Sequence, residues 1–346
     1  MATVIVAVHW KGDNMSTEYK TIISVTSQLS EPWQFESPTQ FDRYPVVMGS
    51  TYREGGVSKE PCTSLNLAFH VGDNPDDVVK NRALLASYLH VNPARMTCGN
   101  QVHGLNAVQI TEDFIGAGAF GESTAINDCD AIFTNIPNVP LLLFTADCVA
   151  VGIYDTAQQA VAVVHAGWKG AIGHLPVITI QAMTKAYGTK PEDCIVFLGP
   201  SIGPESFEVN QELADRFVKS YEVIVKPLNE DEHADNTKST KSTEPTESTE
   251  PTESTEFTES TESSMDVLLT RGSSAPIVRY IKRPGAEVET PHVNLWEFIR
   301  ADLVQLGVPN DNITIGGTDS MVDEHCFSYR REAGKTGRMA MFGMIK

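Results

Sequence analysis

Two apolar runs separated by a short, mostly polar stretch constrain the fold of this chain more than any other feature. The runs are Val149–Tyr154 and Ala160–Val164, and the five residues 155–159 join them. Strands joined by so short a loop pair with each other in antiparallel orientation. The pattern therefore predicts a β-hairpin, and the sheet that contains this hairpin is at least partly antiparallel.

Strands and helices mix in the rest of the chain. Several strand-like runs follow one another without a helix between them, so a purely alternating parallel sheet is not expected. Amphipathic helices are predicted over Asp76–His90 and Asn294–Leu306; Asn294 can cap the second helix and Gly307 can end it. The predicted fold class is therefore α/β (α+β), a layered architecture with a mixed sheet. The further predicted strands are Ala107–Thr111, Asp130–Thr134, Leu141–Thr145, Cys194–Leu198 and Ile313–Ile315.

The composition is that of a soluble globular protein with a sizeable core. Of the 346 residues, 41% are hydrophobic, and no apolar run approaches the roughly 18 residues that span a bilayer. The six cysteines are scattered without a Cys-x-x-Cys pair, which fits a reducing, cytoplasmic setting better than a disulfide-stapled secreted scaffold. A formal net charge of −19 argues against nucleic acid or an anionic membrane as partner.

Two segments are predicted to lie outside the folded core. Residues 1–38 show little periodicity, and we interpret them as a poorly ordered N-terminal extension. Residues 229–264 form an acidic insertion with three Ser-Thr-Glu hexads in 242–259. A low-complexity charged repeat buries little apolar surface and is expected to be disordered. We interpret the insertion as a solvated surface loop whose partner is unknown. It interrupts a single catalytic domain over 39–346. The alternative is a docking segment that is controlled by phosphorylation.

The open end of the hairpin brings a thiol and an imidazole together. The register that we predict pairs Tyr154 with Ala160 next to the loop. The same register pairs Val149 with His165 at the open end. Cys148 is then one step from that pair, and its thiol lies roughly 5–8 Å from the imidazole. A thiol and an imidazole at this separation belong either to a zinc site or to a Cys–His nucleophile.

A second histidine supplies the third candidate ligand. His103 lies in the turn-like segment 100–104, beside Gly104 and just before a predicted strand. Two imidazoles and one thiolate would bind Zn²⁺ and leave a fourth position open, as in catalytic rather than structural zinc sites. From spacing alone, a purely structural role for His103 stays open. Asp147 is a candidate general acid or base, or alternatively a residue that orients the loop.

Basic residues are scarce in this acidic chain, and several arginines cluster. Arg330, Arg331 and Arg338 lie near the C-terminus, and Arg82 lies on the first predicted helix. Arginine pairs bidentately with phosphate or carboxylate groups. Because an acidic protein uses arginine for internal ion pairs as readily, a structural role is the preferred interpretation of each.

A series of motifs runs through the chain from about residue 45 to its end, apart from the acidic insertion. They are Gly56-Val-Ser58, Ser64-Leu-Asn-Leu-Ala68, His70-Val-Gly-Asp73, Asn81-Arg82, Gln101-Val-His-Gly104, Asp128-Cys-Asp-Ala131, Thr145-Ala-Asp-Cys148, His165-Ala-Gly-Trp-Lys-Gly170, Gly199-Pro-Ser-Ile-Gly203, Phe327-Ser-Tyr-Arg-Arg331 and Thr336-Gly-Arg338. Taken together and in this order, the motifs resemble the laccase-domain family, also called YfiH-like or multicopper polyphenol oxidase-like proteins.

The resemblance implies a single-domain αβ sandwich and a zinc ion held by His103, Cys148 and His165. It also implies phosphorolysis of purine nucleosides, namely adenosine, inosine, guanosine and 5′-methylthioadenosine, with adenosine deamination as a further activity. Purine nucleosides and phosphate are therefore the expected partners. Asn66 and Arg82 fall in motifs that line the pocket of the family, and we assign them to substrate binding.

Other activities follow from the same resemblance. The family name suggests a copper-dependent polyphenol oxidase, and a thiolate with two imidazoles can also bind copper. Because no two histidines are spaced as His-x-His, zinc is the preferred metal and copper the alternative. Some members are instead linked to an amidase that edits a peptidoglycan precursor. The predicted catalytic residues are Asp147 and Cys148, the second as a zinc ligand rather than as a nucleophile.

Overall fold

Fifteen strands and five α-helices occur in the part of the chain that the structure describes. The structure, a computed structural model, describes residues 3–9, 20–26, 35–225 and 276–346. The helices are α1 (Pro75–Tyr88), α2 (Trp168–Ile172), α3 (Leu175–Tyr187), α4 (Gln211–Val225) and α5 (Leu295–Leu306). The strands are β1 (Thr3–His9), β2 (Lys20–Thr26), β3 (Phe35–Glu36), β4 (Val46–Thr51), β5 (Thr97–Cys98), β6 (Ala107–Gln109), β7 (Ala131–Thr134), β8 (Leu141–Thr145), β9 (Val149–Asp155), β10 (Ala160–Ala166), β11 (Cys194–Leu198), β12 (Val278–Ile281), β13 (Thr290–Val293), β14 (Ile313–Ile315) and β15 (Met339–Ile345).

Two mixed sheets form the centre of the fold. Counted over the described residues, one has six strands in the order β14-β11-β9-β10-β7-β6, and the other has five in the order β3-β4-β15-β8-β5. Most neighbouring strands are antiparallel, but β11 and β14, β6 and β7, and β5 and β8 are parallel. The predicted mixed sheet and the antiparallel hairpin of β9 and β10 are therefore confirmed. The remaining described strands form two ribbons, β1-β2 and β12-β13.

Side chains alternate along the hairpin strands between two buried faces. Val151 and Ile153 of β9 belong to an apolar cluster that also contains side chains of the helices. Ala150 and Tyr154 belong to a second cluster, which includes Met341 of the five-stranded sheet. The second cluster therefore fills the space between the two sheets. Because both faces are buried, these strands are continuous apolar runs in the sequence.

Helices cover the outer faces of both sheets. Leu85 of α1 packs with Phe342 on the outside of the five-stranded sheet. Met183 of α3, Phe217 of α4 and Phe298 of α5 pack on the outside of the six-stranded sheet. The layers thus follow the order helix, sheet, sheet, helices. This arrangement confirms the predicted α/β layered sandwich with mixed sheets flanked by helices.

The hairpin register predicted from the sequence is wrong by one residue. The structure pairs Val149 with Ala166 instead of His165, and β9 extends to Asp155. Oδ1 of Asp155 accepts hydrogen bonds from two backbone N–H groups of the loop, so this polar residue ends the strand rather than beginning the loop. Because side chains alternate between faces, the shift places Cys148 on the same face as His165.

The two predicted helices are both present, and local contacts explain their ends. Oδ1 of Asn294 accepts a hydrogen bond from the N–H of Glu297 at 3.0 Å and caps α5. Gly307 ends that helix as predicted, with a φ of +114° that favours glycine. α1 is shorter than predicted, because the chain enters the left-handed region at His90, where φ is +56°.

Phe298 provides a test of the helical layer. Its ring is fully buried, with its centre 5.1 Å from the Phe217 ring and 6.2 Å from the Tyr221 ring. Phe298→Ala removes these contacts and leaves a cavity, so we expect the free energy of unfolding to fall by about 3–5 kcal/mol. Urea denaturation followed by circular dichroism measures the change. Val322→Ala, at an exposed site, should change it by less than about 0.5 kcal/mol. Equal effects of the two substitutions would contradict the packing described.

Much of the two segments predicted to be non-globular lies outside the described residues. Within 1–38, the structure describes the antiparallel pair β1-β2 and the residues from 35 onward, where Phe35 and Glu36 pair with β4. The acidic insertion 229–264 lies entirely outside the described residues. The extension and the insertion therefore stay predictions. None of the described helices combines the length and the apolar character needed to cross a membrane.

Candidate metal centre and active-site cavity

The three candidate ligands meet where the two sheets adjoin. β8 of the five-stranded sheet ends at Thr145 and β9 of the six-stranded sheet begins at Val149, so Cys148 lies in the short link between the sheets. His165 is near the end of β10, and His103 lies in the loop between β5 and β6. Residues distant in the sequence are thus brought together by the crossing of the chain from one sheet to the other.

The donor atoms of the three residues lie close enough to share one ion. The sulfur and nitrogen atoms of His103, Cys148 and His165 lie within 4.8 Å of one another. Sγ of Cys148 is 3.9 Å from Nε2 of His103, and the two imidazole centres are 4.8 Å apart. Zinc with bonds of about 2.0–2.3 Å and tetrahedral angles holds its ligand atoms about 3.5 Å apart. The donor set therefore fits zinc after small side-chain adjustments.

Asp130 holds two of the three ligand segments in place. Its Oδ1 accepts hydrogen bonds from Nδ1 of His165 at 2.8 Å and from the N–H of His103 at 3.0 Å. Its Oδ2 accepts from the N–H groups of Val102 and Gly104 at 3.1 and 2.7 Å. Because Nδ1 of His165 is engaged, Nε2 is the atom left for a metal. In the sequence, Asp130 is the first residue of a predicted strand and part of the motif 128–131, but neither pattern assigns it a role, so this role is a finding of the structure.

The electrostatics of the group favour a thiolate. Burial alone would raise the pKa of Cys148, but the neighbouring His165 and His103 outweigh burial and lower that pKa well below its ordinary value. Burial alone would lower the pKa of His165, but Cys148 and Asp130 raise it. The thiolate is the form of cysteine that binds a metal or attacks as a nucleophile. Metal binding would release the proton of the His165 imidazolium.

Gly167 makes room for the ligands at the start of α2. A Cβ built on Gly167 would lie 2.9 Å from Sγ of Cys148 and 3.2 Å from Cδ2 of His103. Its φ of −63° is open to any residue, so lack of space rather than backbone conformation requires glycine here. This contact explains one glycine of the motif 165–170.

The three candidate ligands line a cavity of about 470 Å³. This volume lies within the range of small-molecule sites, about 300–1,000 Å³. The wall combines aromatic rings with a few polar groups, which is typical of a site for a flat, polar organic molecule. The aromatic lining residues are Phe144, Trp168, Phe207 and Tyr329, and the polar ones include His70, Gln101, Asp147, Arg330 and Arg338.

Asp147 lines this cavity, but both of its carboxylate oxygens are engaged. Oδ1 accepts a hydrogen bond from the hydroxyl of Ser320 at 2.7 Å, and Oδ2 accepts one from the N–H of Arg330 at 2.6 Å. The backbone carbonyl of Asp147 accepts from the N–H of Ile202 at 2.9 Å. These contacts tie three segments together and fit the alternative in which Asp147 orients a loop. Its acid–base role stays a prediction.

Asn66 and Arg82 lie behind the cavity wall rather than on it. Asn66 is fully buried; its Oδ1 accepts from the N–H of Arg338 at 3.0 Å, and its Nδ2 donates to Asp73 at 2.8 Å. The buried guanidinium of Arg82 lies against two phenylalanine rings and donates to backbone carbonyls. Both residues support the wall. That these residues touch the substrate stays a prediction, and their hydrogen bonds and ring contacts do not favour it.

Two C-terminal arginines reach the cavity, although a structural role was the preferred interpretation from the sequence. The guanidinium of Arg338 lies 5.7 Å from the centre of the Tyr329 ring, and that of Arg330 lies 5.9 Å from the Phe207 ring. Arg331 instead donates to four backbone carbonyls and is structural. Neither spacing nor polarity distinguishes these arginines in the sequence, because their roles depend on the path of the surrounding loop.

Proteins of similar sequence are named purine nucleoside phosphorylases. The purine nucleoside phosphorylase YlmD of Bacillus subtilis (strain 168) is 28% identical over 330 residues, which cover 95% of this chain and 98% of that protein. The protein of the same name from Geobacillus stearothermophilus is 30% identical over 298 residues, which cover 86% of this chain and 89% of that protein.

Two solved structures share the fold over nearly their whole length. The crystal structure of the Bacillus licheniformis hypothetical protein YfiH is 26% identical, with a TM-score of 0.70, and the match covers 92% of this chain and 98% of that one. YlmD from Geobacillus stearothermophilus is 28% identical, with a TM-score of 0.67 and coverage of 87% and 92%. A family model described as multi-copper polyphenol oxidoreductase laccase matches residues 47–242 and 261–346. The chain therefore belongs to this laccase-like family, as its sequence motifs indicated.

Proposed function

We propose that this protein is a zinc-dependent purine nucleoside phosphorylase. The observation that carries the proposal is the donor group of His103, Cys148 and His165 on the wall of an aromatic-lined cavity. The names of the relatives from Bacillus subtilis and Geobacillus stearothermophilus support the same activity. One soft thiolate and two imidazoles suit zinc, and a zinc ion bound there would supply Lewis acidity to the cavity.

The lining of the cavity offers a group for each part of the reaction. In phosphorolysis, a phosphate oxygen forms a bond with the ribose anomeric carbon while the glycosidic C–N bond breaks and the purine leaves. The rings of Phe144 and Trp168 provide flat surfaces for the purine. Arg330 and Arg338 provide positive charge for the phosphate and for the charge that develops as the bond breaks.

His70 provides a neutral hydrogen-bonding group on the same wall. Loss of solvation beside the protein and the nearby charge of Arg338 lower the pKa of His70 to about 4. The imidazole is therefore uncharged near neutral pH, with one nitrogen that donates and one that accepts. Such a group can bind the ring nitrogens of the leaving purine.

The proposed substrates are adenosine, inosine, guanosine and 5′-methylthioadenosine, with deamination of adenosine as a second activity. The family resemblance supports this range. For deamination we assign the proton transfer to Asp147, because this residue lines the same cavity as the three ligands.

We further propose the cytoplasm as the compartment and small molecules as the partners. All six cysteines of the chain are free thiols in the structure, which suits a reducing compartment. The net charge of −19 disfavours nucleic acid and anionic membranes as partners. Purine nucleosides and phosphate remain the proposed partners, and the partner of the acidic insertion is open.

One assay tests the proposed function directly. Purified protein of measured zinc content is incubated with inosine, with and without phosphate, and hypoxanthine and ribose-1-phosphate are quantified. We expect equal amounts of both products, and only when phosphate is present. Release of hypoxanthine without phosphate, or no release at all, would refute the phosphorylase. Parallel incubations with adenosine, followed for inosine, test the deaminase activity.

A cysteine-based amidase is a second candidate, favoured by one arrangement. In this arrangement Cys148 would be the nucleophile and His165 its base, and Asp130 would orient the base. Nδ1 of His165 lies 2.8 Å from Asp130, and the donor atoms of His165 and Cys148 lie within 4.8 Å. Its substrate would be an amide of a peptidoglycan precursor. A nucleophilic thiol stays active after chelation and is blocked by iodoacetamide, whereas the phosphorylase loses activity on chelation.

Copper-dependent polyphenol oxidation is a third candidate, which the description of the matched family favours. The donor set of two imidazoles and one thiolate can bind copper as well as zinc. Within the described part of the chain, however, a single group of three or more potential metal ligands is close enough to hold an ion, namely His103, Cys148 and His165. Metal analysis of the purified protein and oxygen uptake with a polyphenol separate this candidate from the phosphorylase.

A further inference from the structure

A second cavity of about 370 Å³ adjoins the first. The two cavities share the lining residues Trp168, Phe207 and Arg330, so they are neighbouring compartments with a common wall. The second compartment, here called the side cavity, is completed by residues of the segment 208–213 and by Arg216 of α4. A ligand of the first cavity can extend a group into the side cavity, or a second small ligand can bind beside the first.

Two arginines frame the side cavity. The guanidinium carbon of Arg216 lies 5.2 Å from the centre of the Trp168 ring, and that of Arg330 lies 5.9 Å from the Phe207 ring. Stacking on an aromatic face leaves the N–H donors at the edge of the guanidinium plane available to a ligand, apart from the one that Arg330 donates to a backbone carbonyl. Neither arginine forms an ion pair with a carboxylate of the described residues.

The side cavity keeps an excess of positive charge although two carboxylates, those of Glu208 and Glu212, also line it. Glu208 is paired with Arg283 at 3.0 Å and lies 3.8 Å from Nε2 of His292. Its backbone carbonyl accepts a hydrogen bond from Arg330 at 3.3 Å. Glu212 is exposed and offsets one of the two arginine charges. In a chain of net charge −19, such a local excess of positive charge favours an anionic ligand.

We propose that the side cavity binds a phosphate group through Arg216 and Arg330. Guanidinium groups bind phosphate oxygens bidentately, and two of them can hold a tetrahedral oxyanion from different sides. The proposal rests on the proposed function, in which phosphate reacts next to the nucleoside. The bound phosphate group could come from either of two ligands. One is inorganic phosphate, which would be the attacking reagent. The other is a nucleotide whose base occupies the first cavity and whose 5′ carbon bears the phosphate ester.

Calorimetric titration of the zinc-loaded full chain with inorganic phosphate tests the site. We expect Arg216→Gln to raise the Kd for phosphate at least about tenfold, because the lost hydrogen bonds are charge-assisted. Lys219→Gln is the matched control, since it removes the same charge from an exposed position of α4 that lines neither cavity. The control should keep the Kd within about twofold of the unmodified protein. Circular dichroism verifies that both variants are folded.

Titration with inosine 5′-monophosphate separates the two sources. If Arg216→Gln weakens the binding of inorganic phosphate, the side cavity holds the attacking reagent. If the substitution weakens only the binding of the monophosphate, the side cavity holds a phosphate ester. Unchanged affinity for both ligands would overturn the proposal.

Kinetics separate a failure of this proposal from a failure of the phosphorylase proposal. If the unmodified protein binds phosphate through Arg216 but does not cleave inosine, the phosphorylase is refuted and the side-cavity site stands. If it cleaves inosine, and Arg216→Gln changes neither the KM for phosphate nor the affinity for the monophosphate, the side-cavity site alone is refuted. A raised KM for phosphate with an unchanged KM for inosine supports both.

Discussion

In the proposed zinc-dependent phosphorylase, Cys148→Ala is expected to abolish zinc binding and to lower phosphorolysis of inosine by at least about 100-fold. Cys148 supplies the negatively charged donor of the group, and two imidazoles alone bind zinc much more weakly. Loss of an outer-shell partner already costs about 10–100-fold in metal affinity or activity, and loss of a direct ligand costs at least as much. Inductively coupled plasma mass spectrometry of the dialysed protein measures the zinc, and steady-state kinetics measure the activity.

Cys194→Ala is the matched control for this substitution. Cys194 is a buried cysteine of β11 that belongs to the apolar core and does not line the cavity. We expect the control to keep zinc and activity. If Cys148→Ala kept both as well, the assignment of the metal centre would be wrong. If it kept zinc and lost activity, Cys148 would act as a nucleophile instead of a ligand.

Asp130→Asn is expected to lower zinc affinity by about 10–100-fold and the free energy of unfolding by about 2–4 kcal/mol. The carboxylate of Asp130 accepts four hydrogen bonds, three from backbone N–H groups and one from His165. An asparagine amide offers one oxygen, and its NH₂ group would face donors that it cannot satisfy. Competition with a zinc chelator measures the affinity, and urea denaturation measures the stability.

Asp155→Asn separates the effect of this network from the loss of a buried charge. Asp155 is also fully buried, and its Oδ1 accepts two hydrogen bonds from the hairpin loop. Its Oδ2 has no hydrogen-bond partner among the described residues, so an amide NH₂ at that place displaces no donor. The control should leave zinc affinity unchanged. Similar losses of zinc affinity in both variants would show that Asp130 has no specific effect on the ligands.

Much of the sheet layer is predictable from the sequence, because burial on both faces makes strands such as β9 and β10 continuous apolar runs. The register is not predictable in the same way. Asp155 is polar and therefore indicates a loop, but its side chain bonds to the loop backbone while its main chain stays in the ladder. The helix α3, Leu175–Tyr187, is also absent from the predictions. Its first turns contain Val177 and Ile178, whose β-branched side chains do not favour helix over strand.

The candidate site is predictable only in part. The hairpin places Cys148 near His165, and the family resemblance adds His103. The motifs contain Asp130 and the cavity-lining Arg338, but the roles of these two residues are not predictable, because each acts across segments that are far apart in the sequence. The backbone N–H of Arg338, for example, donates to the buried Asn66, a residue far away in the sequence. Contacts of this kind depend on how the loops pack, and no periodicity in the sequence records them.

The place of the metal centre at the junction of the two sheets gives a bound ion a second effect. His103 follows β5 of the five-stranded sheet, His165 lies in β10 of the six-stranded sheet, and Cys148 lies in the link between them. An ion held by all three would act as a cross-link that opposes separation of the layers. At a free concentration a thousandfold above its Kd, such an ion adds about 4.1 kcal/mol of stability. The supply of metal in the cell would then shift the equilibrium between folded and unfolded protein, independently of whether any substrate is present.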